Sequence, residues 1–383
     1  MGTLVINGCR IRSGGGKQHA LEMVNFILTE FYEKNLFSKI IFFSSTECLK
    51  VFKELGTLPK WFEIIPVPRF SSIVESIVIP FFVIRNKGVL INLDAGSLSF
   101  FLPRTVVIIQ DLLFVEALTR THVSIGLRLK IRQVVLRFIA MHNIQKADGV
   151  IFLTEYSRRL VLRRVGIIRG LTTVIGHGLS GPFQNLSVSP LFNLNTKKIK
   201  LIYVSPVAWY KNHSSVISEL RDYGRVYNKK VELTLVGAVR NTELDNLLLR
   251  NCPHLTVTVV GPVKNTCLPE LIKRHDFFLF ASSCEAFGIT LLEGMASGVP
   301  VICSNKSSLP EILRGCGYEF EPEVCGSLKR TLRLAVRSSA NSESLARAAR
   351  ERALQFIWRE KMSAVFDFLM KATSSKAAPD GHH

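Results

Sequence analysis

Residues 276–303 read DFFLFASSCEAFGITLLEGMASGVPVIC. The unbroken apolar run from Phe277 to Ala281 predicts a strand covered on both faces. A short polar loop, Ser282–Glu285, follows it. Apolar residues at helical spacing then begin near Phe287–Gly288, and Val299–Cys303 predicts the next strand. Strand, loop, helix and strand in so few residues make a βαβ unit. Such a unit requires a parallel sheet with helices packed on it.

The same alternation extends in both directions. Leu4–Asn7, Lys39–Phe43, Val89–Asn92, Val106–Gln110, Gly149–Leu153 and Thr172–Ile175 predict strands, with a helix over Lys17–Lys34. The stretch Leu179–Lys198, LSGPFQNLSVSPLFNLNTKK, interrupts the alternation with Gly, Ser, Asn and two Pro, and predicts a linker. The pattern then restarts. Lys200–Val204, Val231–Val236, Leu255–Val260, Asp276–Phe280 and Val299–Cys303 predict strands, with a helix over Asn212–Tyr223. The expected fold is α/β, with two doubly wound Rossmann-like domains facing each other across a cleft. The first spans residues 1–182, the linker 183–198 and the second domain 199–355. A C-terminal helix, 356–373, is expected to cross back to the first domain. Residues 374–383 read as a tail with a tag remnant.

Composition narrows the function. The chain has 383 residues, 47% of them hydrophobic, with 49 Lys and Arg against 30 Asp and Glu, a net charge of +19. That excludes a mostly disordered chain and points to an anionic partner: nucleic acid, anionic lipid or a nucleotide-linked substrate. The excess is spread along the chain. Residues 1–190 hold 23 Lys and Arg against 12 acidic residues, and the remainder 26 against 18. The eight cysteines form no CxxC pair, which argues against a zinc site or a disulfide framework. No uncharged apolar run reaches the ~18 residues of a membrane span, so a soluble or peripheral protein is expected.

The chemistry concentrates after the strand that ends at Ala281. A helix N-terminus at the carboxyl end of a strand offers free N–H groups to a phosphate. Glu285 stands just before that helix. Glu293 lies five residues past Gly288, roughly 7.5 Å along the axis at 1.5 Å per residue. A diphosphate on the N-terminus would have a carboxylate on either side. Lys211, after another strand, can act as a point charge on phosphate. Gly14, Gly15 and Gly16 follow the first strand and permit close backbone approach, or form a plain turn. His177, between Gly176 and Gly178, and Asp111, at a strand end, are further candidates for the cleft. Trp209, Trp358 and the phenylalanines are expected in the core. No G-x-S-x-G, H-E-x-x-H or P-loop occurs, so no metal is expected.

These segments together resemble retaining GT-B glycosyltransferases of family four. The Glu-x7-Glu spacing of Glu285 and Glu293 within EAFGITLLEGMASGVPVICS is similar to that family's donor-site motif, with Pro310-Glu311 following. LIYVSPVAWYKNH (201–213) resembles its strand-and-lysine segment, and VVGPV (259–263) its base-contacting loop. IFLTEYSR (151–158), TVIGHG (173–178) and RSGGGKQ (12–18) resemble segments of its N-terminal domain. The Gln110-Asp111 dipeptide and the SPVAWYK form are similar to bacterial cell-surface polysaccharide and O-antigen enzymes.

The resemblance implies glycosyl transfer with retention, by front-face attack of an acceptor hydroxyl and without a protein nucleophile. The nucleotide diphosphate sugar is a co-substrate, with no other cofactor. Catalytic roles fall to Glu285, Lys211, Asp111 and His177. Donor binding falls to Lys211, Val263, Glu285, Ala286, Phe287, Gly288, Ile289, Thr290 and Glu293, with Glu285 holding the sugar, Glu293 the ribose and the backbone at 286–289 the phosphates. Acceptor binding falls to Gly14, Gly15, Gly16, Lys17 and Gln110. GDP-mannose is the expected donor and a saccharide, polyprenyl-diphosphate-linked, the expected acceptor. Three positions depart from the family pattern. Pro206 replaces an arginine five residues before Lys211, Gln110 replaces a histidine, and Gly176 replaces a proline.

The basic segment Thr119–Lys146 is amphipathic. Arg128, Lys130, Arg132 and Arg137 alternate with apolar residues, and Phe70–Lys87 adds an apolar stretch with basic ends. Either these are helices packed on the sheet with solvated cations, or they face anionic lipid at the inner side of the cytoplasmic membrane. Two other functions compete. The same fold could serve a sugar-nucleotide epimerase or a phosphorylase. A basic nucleic-acid or membrane binder without enzymatic activity is the other reading, but no nucleic-acid motif supports it and no nucleic-acid partner is expected.

Overall fold

The structure is a computed structural model, and it describes residues 2–12, 14–31, 36–52, 55–68, 72–99, 102–116, 127–186, 198–237 and 252–374. The chain divides into two compact units, Met1–His177 with Trp358–His383 and Gly178–Ile357.

In the first unit the strands are β1 (Gly2–Gly8), β2 (Phe37–Ser45), β3 (Phe62–Val67), β4 (Val89–Asn92), β5 (Thr105–Ile109), β6 (Gly149–Phe152) and β7 (Leu171–Val174). They form one sheet in the order β3-β2-β1-β4-β5-β6-β7, and every pairing is parallel. In the second unit β8 (Lys198–Val204), β9 (Lys230–Val236), β10 (Leu255–Gly261), β11 (Phe277–Phe280), β12 (Val301–Ser304) and β13 (Tyr318–Phe320) form another. Its order is β10-β9-β8-β11-β12-β13, again all parallel. Both sheets are doubly wound, as expected. Their strand order reverses between β1 and β4 and between β8 and β11, the places where such sheets bind ligands at the carboxyl ends of strands.

Strands with continuous apolar runs are buried throughout, as in β5, β6, β11 and β12. The two strands that the apolar pattern misses, β3 and β13, are sheet edges. β3 carries Pro66, which only an edge strand tolerates, and β13 has three residues. In the first unit Val5, Ile41, Phe43 and Leu90 of the sheet pack with Ile79 and Val83 of the helix Ile79–Arg85. Thr154 and Ser157, inside IFLTEYSR, make a capping box that starts the helix Glu155–Val165.

The unit boundaries fall at 177/178 and 357/358, whereas the sequence reading ended the first domain at 182 and the second at 355. The segment 178–186 has linker composition, yet it belongs to the second unit. Leu179 and Phe183 are buried, and the Leu179 N–H donates to the Phe356 carbonyl at 2.7 Å. Residues 187–197 of the expected linker and 375–383 of the tail lie outside the described residues. The last helix, Trp358–Ser374, belongs to the first unit. Its Phe366 stacks on Phe31, ring centroids 4.1 Å apart, and a Cβ on Gly149 of β6 would meet Ala372 at 2.8 Å.

That helix also closes over His177. The ring is 3% exposed, with centroids 5.1 Å from His19 and 5.4 Å from Trp358. The Nδ1 atoms of His19 and His177 are 3.1 Å apart, so one donates to the other. Burial lowers the pKa of His19 to about 4 and that of His177 well below its ordinary range. The residue expected to reach the cleft is therefore a neutral ring in the core of the first unit. Trp358 is buried as expected, whereas Trp209, Phe81 and Phe138 are not: they are 36%, 55% and 73% exposed.

A depressed histidine pKa means that the unfolded chain takes up protons first as pH falls. The contribution of His19 is complete above pH 6.5 and is lost as pH drops toward 4. The thermal midpoint of the full chain should fall across this window, by a loss on the order of 3 kcal/mol. His19→Met should flatten that slope in pH-resolved calorimetry. Parallel pH profiles for the two proteins would contradict the assignment.

Candidate active site

In the second unit the loops after β8 and β11 are laced together. Ser283 donates from its backbone N–H to the Tyr210 carbonyl at 2.8 Å, and the Asn212 amide donates to the Ala281 carbonyl at 2.7 Å. Asn212 takes a left-handed φ of 56° to make this turn. Its side chain stabilises the conformation through a local hydrogen bond. The turn carries Lys211, which is 7% exposed. The Lys211 ammonium is ion-paired with the Glu285 carboxylate. It also lies 5.2 Å from the ring centroids of both Tyr210 and Phe280. Tyr203 donates to the Lys211 carbonyl at 2.7 Å and fixes the turn from below.

Glu285 is held by its own backbone as well. Its N–H donates to Ser307 Oγ at 3.0 Å, and its carbonyl accepts from Ser307 and Ser308 at 2.8 Å each. No sequence signal marks these two serines, because they follow a different strand. Ala286 and Phe287 are buried, and Gly288 turns the chain at φ 89° into the helix Ile289–Ala296. A Cβ at Gly288 would lie 2.9 Å from Leu309, so both the angle and the space require glycine. The helix begins at Ile289, one residue past the expected start. Ile289 and Thr290 occupy its first turn, where N–H groups lack intrahelical partners. Gly294 lets this helix lie against the sheet: a Cβ there would fall 2.3 Å from the Phe278 ring.

Glu293 is on the same helix, 7% exposed. Ser180 donates to its Oε1 at 2.6 Å. Burial raises the Glu293 pKa to about 7, with hydrogen bonds from Ser180 and Asn265 pulling it down. Asn265 follows the Gly261–Val263 loop after β10, so that loop, with half-buried Val263, and the Glu293 helix are tied together. Ser180 and Asn265 escaped the sequence reading. One sits in a stretch that reads as linker and the other has no periodic context. Pro206, where the family pattern has an arginine, is exposed.

In the first unit the loops at the β1/β4 reversal enclose a cavity of about 460 Å³. Arg10, Arg12, Gly16, Asp94, Gln110 and Asp111 are among its lining residues. Gly14–Gly16 are the first turn of the helix Gly14–Phe26 rather than a free loop, and Lys17 is half-buried on it. Gly16 lies against Gln110: a Cβ there would sit 3.1 Å from Gln110 Oε1. Both amide atoms of Gln110 are buried with no hydrogen-bond partner among the described residues. Asp111 is exposed and accepts from the Leu113 N–H at 2.7 Å, capping the short helix Leu113–Glu116. Arg10 grips the buried Glu75 with two Nε contacts of 3.0 and 2.9 Å.

Residues 189–352 match the family described as Glycosyl transferases group 1. The second unit is thus similar to that family's domain. Similar sequences include the O-antigen chain mannosyltransferase B of Escherichia coli, 32% identical over 81 residues, 21% of each chain. A glycogen synthase of Mycobacterium tuberculosis is 27% identical over 190 residues, 48% of this chain and 45% of that one. The matched stretches thus span less than half the length of these relatives. The solved Anabaena Alr3699/HepE, in complex with UDP and glucose, superposes with a TM-score of 0.70 at 16% identity, covering 96% of this chain and 99% of that one. The fold of this chain is accordingly GT-B. Among the described residues, no helix is long and apolar enough to cross a membrane.

A carboxyl pKa raised from 4.5 to about 7 weakens the fold as pH rises through that range. Glu293→Gln keeps an acceptor for Ser180 and removes the buried charge. It should raise stability at pH 8 by on the order of 3 kcal/mol, and by nothing at pH 4.5. Denaturant unfolding at the two pH values measures this, and equal stability at pH 8 would refute it.

Proposed function

We propose that the chain is a retaining glycosyltransferase, moving a hexose from a nucleotide diphosphate sugar to a hydroxyl of a saccharide acceptor. The observation that carries this reading is the Lys211–Glu285 pair beside the N-terminus of the Ile289–Ala296 helix, at the β8/β11 reversal. Charge developing on a leaving diphosphate would be met by the Lys211 ammonium and the first-turn N–H groups, already oriented and poorly hydrated. Glu285, held by Ser307 and Ser308, would stand beside the transferred sugar. Glu293, as an anion, would accept hydrogen bonds from the ribose hydroxyls, with Val263 near the base. The proposal uses these groups in place of a metal or another cofactor.

Acceptor binding is assigned to the first-unit cavity. The unpartnered amide of Gln110 there can donate and accept at once, which suits a hydroxyl-rich ligand. Asp111 at its rim is the candidate for contact with the attacking hydroxyl. GDP-mannose remains the preferred donor, supported by the similarity to the O-antigen mannosyltransferase. UDP-hexoses are the second choice, supported by the UDP and glucose complex of the Anabaena protein. We place the acceptor on a polyprenyl diphosphate at the inner face of the cytoplasmic membrane.

A thermal-shift panel of nucleotide diphosphates and their sugars should show one base preferred. Lys211→Ala should lower kcat/KM by about 100-fold or more. Glu293→Ala should raise the donor KM by about ten-fold or more, with a smaller effect on kcat. Full activity in both variants would reject the site.

A further inference from the structure

Two helices of the first unit present apolar side chains to solvent. On the helical segment 72–85, Ile73, Ile77, Phe81 and Ile84 are 68%, 62%, 55% and 65% exposed. Their spacing of four, four and three residues aligns them on one face. The opposite face, with Ile79 and Val83, is in the core. The helix Leu127–Lys146 repeats the arrangement. Ile131, Val134, Val135 and Phe138 are each at least half exposed, while Ala140 and Ile144 are buried. Residues 119–126 of that basic segment lie outside the described residues.

The two stripes lie on one side of the sheet. The β3–β4 and β5–β6 crossovers run in the same direction across it, and right-handed crossovers in one direction cover the same face. Both helices also hold the loop after β4. Ser99 donates to the Glu75 carbonyl at 3.0 Å, and Asn143 donates to the carbonyls of Ala95 and Ser97 at 2.8 and 2.6 Å.

The charge within the two segments is nearly all of one sign. Residues 72–87 and 127–146 contain seven Lys and Arg and a single carboxylate, Glu75. That carboxylate is buried and neutralised by Arg10. Arg85 and Lys87 are exposed at the end of the first stripe, Arg85 over the Phe81 ring at 5.8 Å, and exposed Arg104 donates to the Lys87 carbonyl at 3.3 Å.

We propose that this face docks on an anionic lipid bilayer, with Ile73, Ile77, Phe81 and Ile84 inserted among the acyl chains and Arg85, Lys87 and Arg104 on the headgroups. The choice of a bilayer rests in part on the lipid-carried acceptor proposed above. It also follows from the charges. A second copy of the chain would set two cationic faces against each other. Large apolar side chains on a helix flanked by Lys and Arg have the make-up of an interfacial helix. Seated this way, the first unit would meet its acceptor in two dimensions.

The test is co-sedimentation of the full chain with phosphatidylglycerol–phosphatidylcholine vesicles and with pure phosphatidylcholine vesicles. Strong binding is expected only to the former, weakened by salt. Ile77→Ser with Phe81→Ser should lower partitioning by about ten-fold or more, since large buried apolar groups are lost. Arg85→Gln with Lys87→Gln should lower binding to the anionic vesicles only. Neither pair should change the thermal shift caused by a nucleotide diphosphate, which reports folding and the second-unit site separately. Vesicle binding without any nucleotide shift would uphold the docking face and count against the reaction. The docking proposal is overturned if the wild-type chain ignores anionic vesicles at low salt or if the apolar variant binds as well. A dimer in sedimentation velocity that the apolar variant dissolves would overturn it too.

Discussion

The ammonium of Lys211 meets the carboxylate of Glu285 where the second sheet reverses its strand order, and both charges are largely withdrawn from water. Desolvating such a pair costs several kcal/mol per ion, and attraction offsets this only when the geometry is maintained by other bonds. Here the maintenance is visible. Asn212 ties one loop to Ala281, Ser283 ties the other to Tyr210, and Ser307 and Ser308 hold the Glu285 backbone. Two aromatic rings flank the ammonium and keep solvent off it. The loops that bring β8, β11 and β12 to one point are thus organised around a pair of opposite charges. An added diphosphate would give Lys211 a second anion without requiring the loops to rebuild.

Glu293 has the opposite balance. It is as buried as Lys211 but has hydroxyl and amide partners rather than a cation, so burial dominates and the carboxyl gains protons near neutrality. A group that weakens the fold in this way is retained when it has another task. Its partners, Ser180 and Asn265, come from two distant parts of the chain. The first unit shows a related economy. Asn7, at the end of β1, donates to Asn92, Ser97 and Ser99 at 3.0, 2.7 and 3.3 Å, which satisfies the buried polar groups at its strand reversal. Gln110, at the cavity wall, has neither amide atom satisfied among the described residues.

The basic character divides along the same lines. Lys211 is committed to the half-buried carboxylate of Glu285 and Arg10 to the buried one of Glu75. Arg85 and Lys87 are exposed, and they border apolar side chains that the core does not use. Site chemistry accounts for a small part of the net charge of +19, and the helical faces of the first unit for a further share.

The parallel α/β class, eleven of the thirteen described strands and the segment around Glu285 were legible because continuous apolar runs and glycine positions are local properties. The remaining strands, β3 and β13, were not, since edge strands need no such run. Lys211, Glu285 and Glu293 could be named from the chain, but their relations could not. The pairing of Lys211 with Glu285 spans 74 residues and that of Ser180 with Glu293 spans 113. His177 illustrates the limit from the other side. Its glycine neighbours suggested an open position, but His19 and the last helix, returning through Trp358, enclose it. Local pattern determined which elements form and which side chains could carry chemistry. Tertiary structure alone decided which of them are desolvated, paired or left facing water, because burial and electrostatic pairing depend on residues far apart in sequence.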